Sequence, residues 1–394
     1  MVIEAGTAED LASALRQASE LGHAVVIRGA GTKADWGRPP LRVDRTLCTR
    51  RLNRILAHEH GDLTATIEAG AALAVVNASL ASAGQWLPLD PPFADRATIG
   101  GILATNDSGP LRQRFGTPRD LVIGVQLATA DGVLARAGGR VVKNVAGYDL
   151  SKLVAGSFGS LAAIVSATFK LAPLPKTTRT LIATAPDLDV LAQIVRDVMA
   201  SQLEPIAFEM QTGNAAASRT IVMLRFASTP AAVDAQIAAA SGLASLKASA
   251  PVVIEGDDEP ARWREHAEGI WDAPGAVVRA SWLPANVATV MRELQRIAGE
   301  RRGLIADGGT SVIGRAGVGA GLIRVGGDSR DQAAFVDDLR RSSAFGNVII
   351  VRGSAELKAM IDVWGAQGDR ERLFASLKQA LDPKGVLNAG RGPL

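Results

Sequence analysis

Cysteine is nearly missing from this chain: among 394 residues there is one, Cys48. A lone thiol forms no internal disulfide and cannot supply the set of thiolates that an iron–sulfur cluster takes. Any such cluster has to sit in a different protein. Aromatic residues are also scarce, 4% of the total, with Tyr148 the single tyrosine. Little is available to stack on bases, and a formal net charge of +3 from scattered basic residues leaves no footprint for a nucleic-acid partner. No apolar run approaches the roughly eighteen residues of a membrane span. The amino terminus, Met1-Val2-Ile3-Glu4-Ala5, lacks a basic segment leading into an apolar core, so no signal peptide is expected and the chain reads as cytoplasmic.

What remains is ordinary for a soluble enzyme, with 47% hydrophobic and 21% charged residues. The length suits two or three domains of about 100–200 residues each. Glycine is plentiful, and two glycine-rich turns stand out. The first is Arg28-Gly29-Ala30-Gly31-Thr32-Lys33; the second runs from Pro91 through Thr98-Ile99-Gly100-Gly101 to Asn106 and Gly109. Glycine reaches positive φ cheaply and lets successive N–H groups converge on an anion. Two such turns suit a ligand with two phosphates and a long body.

The first turn follows the apolar run 24–27, which reads as a buried strand. Gly29, Gly31 and Ala34 formally match a G-x-G-x-x-G/A fingerprint, but that motif needs a helix directly after the turn. Asp35-Trp36-Gly37-Arg38-Pro39-Pro40 follows instead, which disfavours a Rossmann site. No Walker A loop occurs.

Along the chain, Thr7 and Asp10 have capping-box spacing ahead of a helix whose apolar stripe is Leu11, Leu15, Ala18 and Leu21. Leu63, Ala65 and Ile67 alternate as in a half-buried strand, and Leu73, Val76 and Leu80 mark a helix that Gly84 stops. Asp131-Gly132 predicts a tight hairpin between apolar runs. Apolar residues 161–171 end at Pro173 and Pro175, which sets a domain boundary near residue 175. Beyond it, helical patterns at 188–203, 231–240 and 287–298 alternate with strand-like runs at 221–226 and 321–325, an α+β, ferredoxin-like layer. No internal repeat is visible. Glycines 314, 317, 319 and 321 read as a strand turn, not a third phosphate loop, because no helix start follows them.

In order along residues 1–175, R-G-A-G-T, P-P-x5-T-I-G-G, N-x-x-G, R-F-G-x-x-R-D-L-V, D-G, K-N-V-A-G-Y-D-L and G-S-x-G-x-L resemble the FAD domain shared by vanillyl-alcohol oxidase and para-cresol methylhydroxylase. Residues 143–150, Ile361-Asp362-Val363-Trp364-Gly365 and the stretch 381–391 are similar to the FAD-binding subunits of bacterial glycolate oxidases. The resemblance implies that the backbone amides of Gly29, Ala30, Gly31, Thr32 and Lys33 cradle the FAD pyrophosphate. It implies that Pro91, Thr98, Gly100, Gly101, Asn106 and Gly109 hold the other side and border the flavin. The segment ending at Ile164 would meet the adenine end. Relatives that bind flavin covalently carry a histidine near the tip of the first loop, where this chain has Thr32, so non-covalent FAD is expected.

The likeness also marks a departure. Catalytic hydroxy-acid dehydrogenases of this superfamily hold a divalent metal through histidines of the second domain, and this chain has only His266 beyond residue 60. One imidazole does not rebuild a site that needs several ligands and a base. No metal site is therefore expected; His58-Glu59-His60 has ligand-like i, i+2 spacing but reads as a solvated turn. Catalytic candidates are Lys143 and Tyr148, which lie where family loops approach the flavin ring, and His266, which reads as a partly exposed helix residue. Arg28 is expected to brace the first loop from behind.

The reading is an α+β protein: a two-subdomain FAD domain of the vanillyl-alcohol-oxidase type over 1–175, a smaller cap over 176–350, and segment 351–394 returning to the FAD domain. The resemblance implies the FAD-binding subunit of a glycolate oxidase. Its expected partners are a larger flavoprotein catalytic subunit, an iron–sulfur subunit and a small 2-hydroxy-acid substrate, with any membrane association made through those partners. A stand-alone FAD oxidase or dehydrogenase and a non-catalytic assembly subunit are the alternatives.

Overall fold

The computed structural model describes residues 1–139, 147–213, 219–301, 304 and 309–393. The chain divides into two compact units. The first gathers Met1–Gly109, Phe115–Leu174 and Ala366–Leu394; the second gathers Pro110–Arg114 and Pro175–Gly365.

The first unit is built on two sheets. Strand Arg45–Cys48 lies between Val2–Glu4 and Val25–Arg28, all parallel. Helix Ala8–Glu20 packs on this sheet and starts at the capping box that the spacing predicts, with Thr7 Oγ1 accepting from Asp10 N at 3.0 Å. Leu11, Leu15 and Ala18 form its buried stripe, whereas Leu21 is exposed because it caps the helix instead of extending the stripe.

The second sheet is five-stranded and antiparallel, in the order Ile55–Glu59, Thr64–Glu68, Ala163–Lys170, Val122–Ala128, Leu134–Gly138. Its last two strands form the hairpin predicted at Asp131-Gly132, and Gly132 has φ 77°. A register shift opposite Gln126/Leu127 leaves Val165 as an extra residue in its strand. Ile164 and Ala167 consequently join one core, with Leu73, Val76, Ile102 and Leu103. Ala163 and Val165 join the other, with Leu11, Leu15, Val25 and Leu47, which welds the two sheets together.

The second unit is one eight-stranded antiparallel sheet with a repeat that the sequence conceals. Its first half runs strand Thr177–Ala185, helix Leu188–Ala200, strands Ala207–Thr212 and Thr220–Ser228, helix Pro230–Gly242 and strand Val252–Ile254. The second half runs Ala276–Ser281, helix Val287–Gly299, strands Thr310–Arg315 and Ala320–Val325, helix Ser329–Arg341 and strand Val348–Arg352. Numbered within each half, the strands lie 4-1-3-2 and then 2-3-1-4, so two split-βαβ layers meet at Ala207–Thr212 beside Thr310–Arg315. The expectation of no repeat is corrected at the level of topology. The cap boundary expected at 350 also moves, because Val348–Arg352 pairs with Ala276–Ser281 and keeps the chain in this unit to Gly365.

The glycines near 314–321 belong to the hairpin joining Thr310–Arg315 and Ala320–Val325. Gly314 and Gly321 face each other across it, and a Cβ on Gly321 would lie 2.7 Å from the Trp282 ring. Their smallness makes room for the indole.

Candidate functional site

The first glycine turn leaves the carboxyl end of Val25–Arg28. Among the described residues, the N–H groups of Gly29, Ala30, Gly31, Thr32 and Lys33 find no hydrogen-bond partner. Gly31 has φ 84°, and the Arg28 side chain packs against its Cα, where a Cβ would be 3.4 Å from Arg28 Cδ. Two bonds close the turn: Ala34 N donates to Gly31 O at 3.0 Å, and Trp36 N donates to Lys33 O at 3.2 Å. The result is a run of five successive donors without acceptors, the groups that a phosphate oxygen can engage.

The second turn meets the first. A Cβ on Gly29 would lie 2.2 Å from Thr98 Oγ1, so only glycine permits this approach. Thr98 occupies the N-cap of helix Ile99–Thr105, and Gly100 N donates to Ala69 O at 2.7 Å. A side chain at Gly100 would strike Ala69, whereas Gly101 faces Thr98 with more room. Asn106 ends the helix in the left-handed conformation, φ 46°, and its Oδ1 accepts from Arg119 N at 3.0 Å. Gly109 passes so close to Asp90 O that a Cβ would be 1.9 Å away, beside the buried Pro91. Asn106, Gly109 and Pro91 shape the turn, while Gly29, Gly100, Gly101 and Ile164 line one narrow cleft of about 60 Å³.

Lys33 contributes more than its amide. Its Nζ lies 3.1 Å from Asp107 Oδ2, with both side chains over 90% buried, which ties the first turn to the residue after Asn106. The motif spacing carries no signal for Asp107.

The carboxyl-terminal residues complete the cleft. Val25 N donates to Val386 O at 2.7 Å and Asn388 N donates to Val25 O at 2.9 Å, which extends the parallel sheet. Asn388 Oδ1 accepts from Ile27 N at 3.3 Å, and its Nδ2 donates to Phe158 O at 2.8 Å. Asn388 also lines the cleft, next to Gly159, whose Cβ would sit 2.6 Å from Asn388 Nδ2. Arg391 reaches the back of the first turn, where its Nη2 donates to Lys33 O at 2.7 Å and to Ala34 O, and its Nε donates to Trp36 O at 3.2 Å.

Bare amides, glycine floors and a narrow enclosed waist fit the pyrophosphate region of FAD. Unpartnered N–H donors suit its negative charge, and the small cleft beside them suits its slender chain.

Lys143 lies outside the described residues, and Tyr148 is 93% exposed. His266, expected to be partly exposed, is fully buried: helix Asp258–Asp272 linking the two halves of the second unit carries it inward. Its Nε2 is 2.9 Å from Glu209 Oε2, and its Nδ1 is 3.3 Å from Gln211 Oε1. Arg315 Nε stands 3.8 Å from Glu209 Oε1. The helical period of a connector cannot show which face meets the sheet, so sequence spacing misses this burial.

The His58 and His60 rings meet at a 60° tilt with centroids 4.0 Å apart, and His58 Nε2 is 2.8 Å from Gln85 Oε1. Among the described residues no group of three or more His, Cys, Asp or Glu is placed to hold a metal. No helix among them is long and apolar enough to cross a membrane.

Comparison with known proteins agrees with this geometry. Residues 1–138 match the family described as FAD binding domain. The chain is 35% identical over 208 residues to glycolate oxidase subunit GlcD of Bacillus subtilis, covering 53% of this chain and 44% of that protein. It is 40% identical over 158 residues to glycolate oxidase subunit GlcE of Escherichia coli, covering 40% of this chain and 45% of that protein. The matches thus span less than half the length of these curated relatives. A solved structure of alkyldihydroxyacetonephosphate synthase shares the fold across 98% of this chain and 75% of that one, with a TM-score of 0.72 at 16% identity. Both glycine turns fall within the residues that match a FAD binding domain, and the chain as a whole shares the fold of the synthase.

Proposed function

We propose that this chain is the FAD-binding subunit of a glycolate oxidase, a 2-hydroxy-acid dehydrogenase complex that converts glycolate to glyoxylate. The observation that carries the cofactor half of this reading is the row of unpartnered amides from Gly29 to Lys33, in a turn whose Gly29 touches Thr98 and lines a glycine-floored cleft with Gly100 and Gly101. Bound FAD supplies hydride acceptance and single-electron release. The amides of the first turn bind the pyrophosphate, Gly100 and Gly101 let the chain of the cofactor pass, and Ile164 and Asn388 bound the cleft. With Thr32 at the tip of the first turn, attachment is non-covalent.

The complex half rests on the matches to two glycolate oxidase subunits and on the condition of His266. Locked between Glu209 and Gln211, its imidazole has no access to a substrate hydroxyl. Deprotonation of the hydroxy acid then falls to a larger flavoprotein partner, and an iron–sulfur partner takes the electrons onward, since the single, buried Cys48 cannot ligate a cluster.

The test is direct. The purified full chain is reconstituted with FAD and mixed anaerobically with glycolate or D-lactate, with and without the other subunits. The expected result is flavin absorbance in the isolated chain, with bleaching only when the partners are present. Bleaching of the isolated chain would make it a stand-alone dehydrogenase, and failure to take up FAD would remove both readings.

A further inference from the structure

Arg391 is 92% buried, and among the described residues no carboxylate lies within ion-pair distance of it. Its hydrogen bonds go to neutral carbonyls: Lys33 O, Ala34 O and Trp36 O. Asp35, on the exposed side of the same loop, acts on it only at longer range, and burial holds the guanidinium below its ordinary value. A guanidinium stays charged in proteins, and a buried charge without a counter-charge is costly. Among the described residues the same loop presents five N–H groups without acceptors. Both features place positive charge around one loop; Asp107 pairs with Lys33 and Asp35 acts on Arg391 from the exposed side, but among the described residues no carboxylate hydrogen-bonds Arg391 or the five amides.

We propose that Arg391 is a positioning residue for the FAD pyrophosphate: it draws the Lys33, Ala34 and Trp36 carbonyls backward, and its charge is balanced through the loop by the dianion. The inference rests on the reading that residues 29–33 hold that pyrophosphate. It couples two events, because docking of the carboxyl-terminal segment and cofactor binding then strengthen each other reciprocally.

The experiment compares the full-length wild type, Arg391→Met and Arg391→Lys after removal of flavin. FAD and ADP are titrated at several salt concentrations, and circular dichroism monitors the fold. The expected result is a loss of affinity of about ten- to hundredfold in Arg391→Met, alike for FAD and ADP because both carry the pyrophosphate. Its salt dependence should also be shallower than that of the wild type, which a purely structural role would not produce.

A folded Arg391→Met that binds both ligands within about twofold of wild type would overturn the proposal. If Arg391→Met does not fold, Arg391→Lys decides, since it keeps the charge but loses the planar fork. A loss of about threefold or more with an intact fold supports the positioning role, and unchanged affinity refutes it. Wild type that binds neither FAD nor ADP would instead refute the underlying reading of the loop.

Discussion

At the scale of single residues, the glycines of the two turns do different work, and their neighbours show which. Gly29 is glycine because a side chain would push into Thr98 Oγ1, a contact between the two turns. Gly109 is glycine because a side chain would strike the backbone of Asp90. A threonine rotamer can give way, whereas a backbone carbonyl cannot do so cheaply. Gly29→Ala is therefore expected to fold with a loss of about 1–3 kcal/mol in stability, the range of overpacking, yet to lose FAD at least about tenfold because the added methyl crowds the cleft that Gly29 lines. Gly109→Ala should show the reverse order, a larger fall in denaturation midpoint and a smaller direct effect on FAD affinity in the protein that remains folded. Denaturant titration with flavin-fluorescence binding on both variants checks the pair; equal effects on both properties would contradict the assignment.

At the scale of elements, the carboxyl-terminal strand depends on one carboxylate. Asp382 is 2% exposed, its Oδ1 accepts from Val386 N at 2.9 Å, and its Oδ2 accepts from Leu387 N at 2.8 Å. Lys378 Nζ donates to Oδ2 at 2.6 Å and also to Ser160 O and Leu387 O. Gly385, at φ 63°, turns the chain between these groups. Asp382→Ala removes the acceptor for two buried amides and the partner of a largely buried ammonium, so a loss of about 3–5 kcal/mol is expected. Hydrogen exchange should then accelerate at Val25 and Asn388, whose amides join this segment to the parallel sheet.

Most helices and strands are legible in the sequence because their periods are strong; Leu191, Ile194, Val195 and Val198, for instance, all turn inward on helix Leu188–Ala200. The tandem layers of the second unit are not legible, because a shared strand order requires a shared apolar pattern and no shared residues. In the site, glycine marks Gly29, Gly100 and Gly101 by its rarity of purpose. Asp107, Asn388 and Arg391 gain their places only through contacts with residues far away in the chain.

At the scale of the whole molecule, the two units have separate cores and carry different candidate sites. The donors proposed for FAD, from Gly29 to Lys33, lie in the unit formed by Met1–Gly109, Phe115–Leu174 and Ala366–Leu394. The buried Glu209–His266 pair lies in the other. A ligand that binds a folded unit and not its unfolded form stabilises that unit by mass action, about 2.7 kcal/mol at a concentration one hundred times Kd. Calorimetry of the flavin-free full chain is accordingly expected to resolve two transitions, and added FAD should raise one while leaving the other within about a degree. Gly29→Ala should cut that shift, to about half for a tenfold loss of affinity, without altering the insensitive transition, which assigns the responsive transition to the first unit. A single transition that moves as a whole with FAD would show instead that the units unfold cooperatively, and the cofactor would then stabilise the entire chain.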